Sequence, residues 1–293
     1  MVDWQVEDMT IVVEAGVPVA DLEAQLQQRR QTAVLPEIAP GATVGGVVAA
    51  GLSGWRRLRY GPTRDRVLEV VLATGDGRRV RRGGRLVKNV TGYDVSRLAV
   101  GSYGSLGLIG QVCLKLWPLS TDQGMVEIGD PEAALRTAYR PLAVVETETK
   151  SVAYLAGTDA EIEVQAEQLE GRLVAGHRWP DPRAGRWELS LRVPAGDTSR
   201  VVRRIRQLGW AIQAAHGVGE IRLVVEEEGP GELTSIRREA EAIGGSLVVT
   251  RSPLDSSLDP WGAAPQSLGL QRRVKAAFDP IGIANPGILP GGI

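Results

Sequence analysis

Side chains that could carry chemistry are few in this sequence, and the two histidines are the first to consider. His177 and His216 lie far apart in the chain, and neither has a second histidine or an acidic residue at the spacing of metal ligands. The sequence therefore predicts no metal site. His177 precedes Arg178-Trp179-Pro180 and is expected in a surface loop. His216, in the segment AAHGVGEIRLVVE, is the one candidate for a catalytic residue.

Other reactive arrangements are missing from the sequence. It contains no GxSxG nucleophile elbow, no P-loop and no CxxC pair, and the run GSYG at 101–104 departs from the GxGxxG of nicotinamide-binding folds. The single cysteine, Cys113, cannot form an internal disulfide. The alternating segment GQVCLKLWP around it predicts a buried strand residue in a reducing compartment.

Glycine is the residue whose distribution points to a site. Fifteen of the thirty-six glycines fall between residues 40 and 110, mostly in PGATVGGVVAAGLSG at 40–54 and GSYGSLG at 101–107. A glycine costs a strand or helix roughly 0.5–1 kcal/mol, so this density indicates positive φ angles or close backbone approach to a large flat or phosphorylated ligand. The alternative is that these glycines only turn the chain within a strand-rich domain.

The flanking segments have the patterns of elements that would position these two blocks. Residues 10–14, TIVVE, predict a strand that leads into an amphipathic helix beginning near Val19. Residues 67–73 predict a strand that turns at Gly75-Asp76-Gly77 into a hairpin. Residues 106–117 predict an alternating strand that closes the domain.

From Ser120 onward glycine thins, and strand-like and helix-like segments alternate in the manner of a small α+β domain. The sequence predicts helices at 131–139, 159–170, 197–208 and 231–243, and strands at 151–156, 186–193, 219–226 and 246–251. A loop at 252–265 and a last helix at 268–278 follow. No internal repeat is evident in the sequence.

The composition is that of an ordinary globular protein. Hydrophobic residues make up 43% and charged residues 24%, and the net charge of −1 offers no electrostatic attraction to nucleic acid or an anionic membrane. The amino end lacks a secretory signal pattern, and no apolar run approaches the roughly 18 residues of a membrane span. We therefore expect a cytoplasmic protein, at most peripheral at the inner face of the membrane.

Four motifs together carry a family resemblance. They are PGATVGG at 40–46, YGPTRDRVLEVVLATGDG at 60–77, KNVTGYDVSRL at 88–98 and GSYGSLGLI at 101–109. In order and spacing they resemble the second half of the FAD-binding domain of the vanillyl-alcohol-oxidase (PCMH-type) flavoproteins. Within that superfamily the chain most resembles the FAD-binding E subunit of bacterial glycolate oxidase, over about 8–118 and again at 279–287.

The resemblance implies an α+β fold with two domains. Residues 1–120 would form the second subdomain of a PCMH-type FAD-binding domain. Residues 121–293 would form an α+β domain like the C-terminal domain of FAD-linked oxidases, with a last segment that packs back on the flavin domain. In the family a first subdomain with a glycine-rich pyrophosphate loop comes earlier. We expect that the start is truncated, that another chain supplies the loop or that FAD binding has been lost, and that this chain alone binds FAD weakly or not at all.

The resemblance also implies a FAD site built from the two glycine blocks. Backbone N–H groups near 43–46 are the expected phosphate donors, and Asn285 is either a flavin-side contact or a turn residue before Pro286. FAD would be held non-covalently, because no histidine precedes His177. The residues expected to bind the cofactor are Pro40, Gly41, Ala42, Thr43, Val44, Gly45, Gly46, Gly51, Gly54, Tyr60, Gly61, Gly101, Gly104, Ser105, Leu106, Gly107, Ile109 and Asn285.

The function implied by the resemblance is that of a FAD-dependent oxidoreductase subunit that is active in a complex. The complex would oxidise glycolate, a small 2-hydroxy acid, to glyoxylate and pass electrons through FAD to an iron–sulfur subunit, with a homologous, histidine-rich flavoprotein subunit doing the substrate chemistry. The alternatives are a self-sufficient FAD-dependent 2-hydroxy-acid dehydrogenase and a cofactor-free structural subunit. Trp55 and Trp261 are candidate interface residues, although Trp55 is equally expected in a core.

Overall fold

The computed structural model describes residues 2–36, 41–84, 95–180, 184–226 and 230–293, which form two compact units. Unit 1 comprises Met1–Arg56, Tyr60–Leu119 and Ala263–Ile293, and unit 2 comprises Arg57–Arg59 and Ser120–Gly262. The sequence analysis assigned the C-terminal segment to the second domain, as a piece that packs back on the first. In the structure, Ala263–Ile293 belongs to unit 1.

The described residues form helices and strands in both units. The strands are β1 (Asp3–Gln5), β2 (Thr10–Glu14), β3 (Gln31–Thr32), β4 (Val67–Ala73), β5 (Arg79–Gly83), β6 (Leu108–Lys115), β7 (Trp117–Pro118), β8 (Asp122–Ile128), β9 (Ala143–Thr147), β10 (Ser151–Gly157), β11 (Arg172–Val174), β12 (Trp187–Arg192), β13 (Ala211–His216), β14 (Glu220–Val225) and β15 (Ser246–Arg251). The α-helices are α1 (Val19–Gln27), α2 (Val44–Ala50), α3 (Arg57–Tyr60), α4 (Val95–Ala99), α5 (Pro131–Thr137), α6 (Asp159–Gln168), α7 (Thr198–Arg206), α8 (Pro230–Ala242) and α9 (Leu268–Phe278). Short 3₁₀ helices lie at Thr63–Asp65, Ala195–Asp197 and Pro290–Gly292.

Unit 1 is built on a five-stranded sheet in the order β1-β2-β6-β4-β5, beside a small sheet of β3 and β7. β4 and β5 form the antiparallel hairpin expected from the sequence, with Ala73 paired to Arg79 and Gly77 at a φ of +80° in the turn. Cys113 lies in β6 and is buried, as predicted. Side chains of α1, α2 and the central strands pack together in one apolar core.

The first glycine block contains a helix, α2, that the sequence analysis did not predict. Thr43 caps its start by accepting from the Gly46 N–H at 3.1 Å, and Gly51 ends it in the left-handed conformation at a φ of 64°. Val44 and Val47 are buried in the core. The run VGGVVAA contains glycine and β-branched residues, which are poor helix formers, so caps and burial stabilise this helix more than local propensity does.

Unit 2 contains a structural repeat that is not evident in the sequence. Its eight-stranded sheet has the order β11-β8-β10-β9-β13-β14-β12-β15. In chain order the elements run β8-α5-β9-β10-α6-β11 and then β12-α7-β13-β14-α8-β15. Each half is therefore a βαββαβ unit of the ferredoxin-like type, and the halves join through the antiparallel pair β9 and β13. Both joining strands are buried almost throughout and lack polar alternation, which explains why the sequence did not reveal them.

The elements that were predicted for unit 2 are confirmed within a few residues at each end. The four helices correspond to α5–α8, and the four strands to β10, β12, β14 and β15. Local caps define the starts: Asp130 accepts from the Glu132 N–H at 2.8 Å before α5, and Thr158 forms a capping box with Glu161 at α6. The α+β fold class is confirmed.

Candidate functional site

The two glycine blocks expected to form the site lie against each other in unit 1. The Gly101 N–H donates to the Val48 carbonyl at 3.0 Å, and the Tyr103 N–H donates to the Ala49 carbonyl at 2.8 Å. A Cβ on Gly51 would lie 3.1 Å from the Gly101 Cα, which is closer than an ordinary contact. Glycine at this position therefore permits the end of α2 to pack directly on the turn at 101–107.

Thr63 hydrogen-bonds to the end of the first glycine block. Its Oγ1 donates to the Leu52 carbonyl at 2.6 Å. Gly61 has a φ of +77°, and its carbonyl accepts from the guanidinium of Arg66, a fully buried side chain. Hydrogen bonds thus connect the end of the first block and Gly61 to the segment that begins at Thr63.

The glycine backbone borders open space at three of the expected positions. Gly41 and Gly101 have φ angles of +88° and +79°, and a Cβ built on either would meet no heavy atom within 4 Å. At Gly104, with a φ of +75°, the nearest atom to such a Cβ would be Asn285 Nδ2 at 3.9 Å. Backbone exposed in this way lets a flat cofactor approach more closely than side chains would permit. The residues present therefore fit a flavin.

Other expected positions serve the fold of unit 1. A Cβ on Gly45 would lie 2.5 Å from the Ala15 Cβ, and a Cβ on Gly107 would collide with the Ala73 carbonyl. These two glycines are required by close packing inside the protein. Several further side chains expected at the site are buried, so they could reach a ligand only through their backbone: Val44, Ser105, Leu106 and Ile109.

The N–H groups at the start of α2, expected as phosphate donors, already donate within the protein. The pairs are Val44 with the Val17 carbonyl (2.9 Å), Gly45 with the Ala15 carbonyl (2.8 Å) and Gly46 with Thr43 Oγ1 (3.1 Å). A donor that is engaged in this way does not bind a phosphate while the helix keeps these hydrogen bonds. The expectation for these three groups is therefore corrected.

The remaining expected residues have varied surroundings. The Ala42 carbonyl accepts from the Val19 N–H at 2.9 Å, and the Tyr60 ring packs edge-on against Trp117 at 5.6 Å between centroids. Trp55 is buried, so it is a core residue and not an exposed interface residue. Pro40 and residues 88–94 of the third motif lie outside the described residues.

The C-terminal segment brings Lys275 and Asp279, which the sequence analysis did not single out, and Asn285, which it did, to the second glycine block. Lys275 Nζ, in α9, donates to the Ser105 carbonyl at 2.8 Å and to Asp279 Oδ2 at 2.6 Å. The hydrogen bond from Lys275, with backbone N–H donors that follow in the chain, holds the pKa of Asp279 below its usual value. Asn285 Nδ2 donates to the Tyr103 carbonyl at 2.6 Å. The i,i+4 spacing of Lys275 and Asp279 was the available signal in the sequence.

His216, the candidate catalytic residue, is a buried residue of unit 2. It ends β13 with 1% of its surface exposed, and its Nε2 lies 2.6 Å from Glu146 Oε2 on β9. Glu146 also pairs with Arg206 at 3.0 Å. A catalytic base must come within hydrogen-bond reach of its substrate, and this imidazole is instead enclosed by its own sheet. The structure therefore gives His216 a role in joining the two halves of unit 2.

Two kinds of feature are absent from the part of the chain that the structure describes. Within that part, no three His, Cys, Asp or Glu side chains come together in a group that could hold a metal ion. Within the same residues, no helix has both the length and the apolar character needed to cross a membrane.

Comparison with known proteins identifies the family. Residues 1–83 match the family model described as FAD binding domain. Over 98% of its length the chain is similar to glycolate oxidase subunit GlcE of Escherichia coli (strain K12), with 30% identity and 83% of that protein covered. The chain belongs to the GlcE family of FAD-linked oxidoreductases. The resemblance seen in the motifs is confirmed, and FAD is the cofactor of this family.

Other relatives of the family match over shorter stretches. Glycolate oxidase subunit GlcD of Bacillus subtilis (strain 168) is 41% identical over 38% of this chain and 24% of that protein. A mitochondrial D-lactate dehydrogenase [cytochrome] of Arabidopsis thaliana is 41% identical over 38% of this chain and 19% of that protein. Among solved structures, an alkyldihydroxyacetonephosphate synthase superposes with a TM-score of 0.60 at 14% identity, over 95% of this chain and 65% of that one. At this identity the likeness shows the fold alone.

Proposed function

We propose that this chain is the FAD-binding subunit of a glycolate oxidase complex, which oxidises glycolate to glyoxylate and passes the electrons through FAD to an iron–sulfur subunit. The observation that carries the proposal is the similarity to GlcE over 98% of the chain. The likeness of 38% of the chain to GlcD, and of 38% to a D-lactate dehydrogenase, supports a small 2-hydroxy acid as the substrate class.

In this proposal unit 1 supplies a surface for FAD and not a reacting side chain. The backbone of Gly41, Gly101 and Gly104 would lie against the cofactor, because a Cβ at these positions would project into the open space. The hydrogen bonds from the turn at 101–103 to the end of α2 keep the two glycine blocks together. When bound, FAD supplies the acceptor for the two electrons that leave a 2-hydroxy acid.

We assign removal of the substrate proton to a homologous flavoprotein subunit. Oxidation of an alcohol needs a proton acceptor within hydrogen-bond reach of the hydroxyl or carbon that reacts. His216, the base that the sequence offered, is buried and paired with Glu146. This burial supports a chain that holds an electron carrier and depends on a partner for the substrate chemistry.

A self-sufficient FAD-dependent 2-hydroxy-acid dehydrogenase is the second candidate. It is favoured by the similarity to the D-lactate dehydrogenase of Archaeoglobus fulgidus, which is 32% identical over 58% of this chain and 37% of that protein. In that case the chain alone would oxidise its substrate. The two candidates therefore differ in the activity of the isolated chain.

The test is co-expression of the chain with the homologous flavoprotein subunit and the iron–sulfur subunit, followed by affinity purification and glycolate-dependent dye reduction. Gly101→Ala and Gly77→Ala form a matched pair of variants, because both glycines have a φ near +80° and an open Cβ position. We expect the whole complex to be active and the isolated chain to be inactive. Gly101→Ala should lower the affinity for FAD by about tenfold, or 1.4 kcal/mol, whereas Gly77→Ala should leave it within about twofold.

Three results would contradict the proposal. An isolated chain that oxidises glycolate at ordinary enzymatic turnover would establish the self-sufficient dehydrogenase. A fully active complex in which this chain carries no flavin would establish a cofactor-free structural subunit. Equal FAD affinity in Gly101→Ala and Gly77→Ala would remove the turn at 101–107 from the cofactor site.

A further inference from the structure

Lys275 joins the C-terminal segment to the second glycine block. Its Nζ donates to the Ser105 carbonyl at 2.8 Å, to the Ala284 carbonyl at 2.5 Å and to Asp279 Oδ2 at 2.6 Å. An ammonium group has three N–H donors, so this arrangement can satisfy all of them. The side chain is only 13% exposed, and water therefore competes weakly with these three acceptors.

Asp279 fixes both the lysine and the loop that follows it. Its side chain is fully buried, and it accepts from the Ile283 N–H at 3.1 Å and from the Ala284 N–H at 2.8 Å. Gly75, in the turn between β4 and β5, comes so close that a Cβ there would collide with Oδ1. The carboxylate is thus enclosed on all these sides, and the loop that leads to Asn285 is held in place.

Asn285 makes the second contact with the same turn. Its Nδ2 donates to the Tyr103 carbonyl at 2.6 Å, and its φ of 45° is one that asparagine tolerates better than most residues. The carbonyls of Tyr103 and Ser105 flank Gly104. The C-terminal segment therefore holds the backbone on both sides of a glycine that is expected to face the cofactor.

The turn at 101–107 needs such contacts because its own sequence restrains it little. Gly101, Gly104 and Gly107 all have positive φ angles, and glycine can adopt many other conformations at comparable energy. Short-range hydrogen bonds within the turn, such as Ser105 N–H to the Ser102 carbonyl at 2.9 Å, restrain only part of it. Selecting one backbone conformation therefore depends on groups from elsewhere in the chain.

We propose that Lys275, Asp279 and Asn285 form a latch that holds the turn at 101–107 in the conformation that binds FAD. They are positioning residues, since Lys275 and Asn285 donate to the Ser105 and Tyr103 carbonyls of the turn and Asp279 holds Lys275. The inference rests on the assignment of this turn to the flavin site, as in the proposed function. It adds that flavin affinity is set in part by a segment more than 150 residues away in sequence.

The test compares Asn285→Asp and Lys275→Met with Arg272→Met. Asn285→Asp keeps the size of the side chain and its tolerance of positive φ, but it places a carboxylate oxygen opposite the Tyr103 carbonyl. Arg272 is a matched control, because it lies on the same helix and donates to the Gly291 carbonyl at 3.0 Å, away from the glycine turn. All variants are measured at a temperature at which circular dichroism shows them folded.

Two readouts are used, and the first needs no cofactor. Amide hydrogen exchange of Tyr103, Ser105 and Gly107 in the flavin-free chain should be about tenfold faster in both latch variants, because each variant removes one hydrogen bond to the turn. FAD titration of the co-expressed complex after removal of its flavin, followed by flavin fluorescence and by the visible absorption of the bound cofactor, is expected to show an affinity about tenfold weaker. Arg272→Met should stay within about twofold of the wild type in both readouts.

The outcomes separate the latch from the flavin site and from simple loss of stability. Unchanged exchange in the turn would show that the three residues do not hold it. Faster exchange with unchanged FAD affinity, or with no FAD binding by the wild type, would show a latch that does not position the cofactor. An equal loss of affinity in Arg272→Met would indicate general destabilisation. If Lys275→Met fails to fold, Asn285→Asp is compared with Arg272→Met in the same two readouts.

Discussion

Replacement of Gly45 by alanine tests whether the first glycine block serves the fold or the ligand. A Cβ at this position would lie 2.5 Å from the Ala15 Cβ and 3.0 Å from the Ala15 carbonyl oxygen. The helix cannot simply move away, because the Gly45 N–H donates to that same carbonyl at 2.8 Å and the Val44 N–H donates to Val17 at 2.9 Å. Relief of the clash therefore requires the loss of at least one of these hydrogen bonds.

The change in the free energy of unfolding of Gly45→Ala is the sum of two destabilising contributions and one stabilising contribution. Overpacking a close contact costs about 1–3 kcal/mol, and the loss of one hydrogen bond costs about 1 kcal/mol. Alanine recovers up to about 1 kcal/mol through its higher helix propensity in α2. We expect Gly45→Ala to destabilise the protein by about 1–3 kcal/mol, which corresponds to a fall in Tm of about 2–12 °C.

The assay is thermal and urea unfolding of four proteins: wild type, Gly45→Ala, Ala15→Gly and the double variant. Removal of the Ala15 Cβ frees the space that the new methyl group needs. The double variant should therefore lose less free energy of unfolding than the sum of the two single variants' losses, by about 0.5 kcal/mol or more. Gly16→Ala is the control, because its Cβ would meet no atom within 4 Å. Wild-type stability in Gly45→Ala, or strictly additive effects in the double variant, would refute this reasoning.

Two further outcomes are expected. His216→Asn should reduce the activity of the complex by less than about tenfold, which is under about 1.4 kcal/mol of transition-state stabilisation, because the buried imidazole pairs with Glu146. A thousandfold loss at unchanged flavin content would instead make His216 a catalytic base. Burial raises the pKa of Tyr154 to about 12, so an alkaline spectrophotometric titration should show one phenol that ionises near pH 12 and is absent in Tyr154→Phe. The folded state favours the neutral phenol of Tyr154. This side chain's contribution to the free energy of unfolding is therefore present below about pH 10 and is lost as the pH rises toward 12. Ionisation of every tyrosine near pH 10 in the folded protein would contradict the burial.

Local pattern predicted much of the secondary structure within each of the two units. The hairpin at 67–83 follows from the apolar run at 67–73 and the turn at Gly75-Asp76-Gly77, and α5 and α6 follow from the helix-like patterns of their segments. The same local information was insufficient for α2, whose caps and burial outweigh poor propensity. It also missed the strands Ala143–Thr147 and Ala211–His216, whose uninterrupted burial leaves no alternation to detect.

The sequence by itself determined the family, the α+β class and the two glycine blocks, because these depend on residue types in a fixed order along the chain. Only the tertiary structure decided which glycines face open space and which are required by packing, since Gly45 and Gly101 differ in their neighbours and not in type. It also decided that His216 is enclosed by Glu146, and that Asn285 contacts Tyr103. The last pair is separated by 182 residues, and such contacts arise from the packing of distant segments that no local pattern encodes.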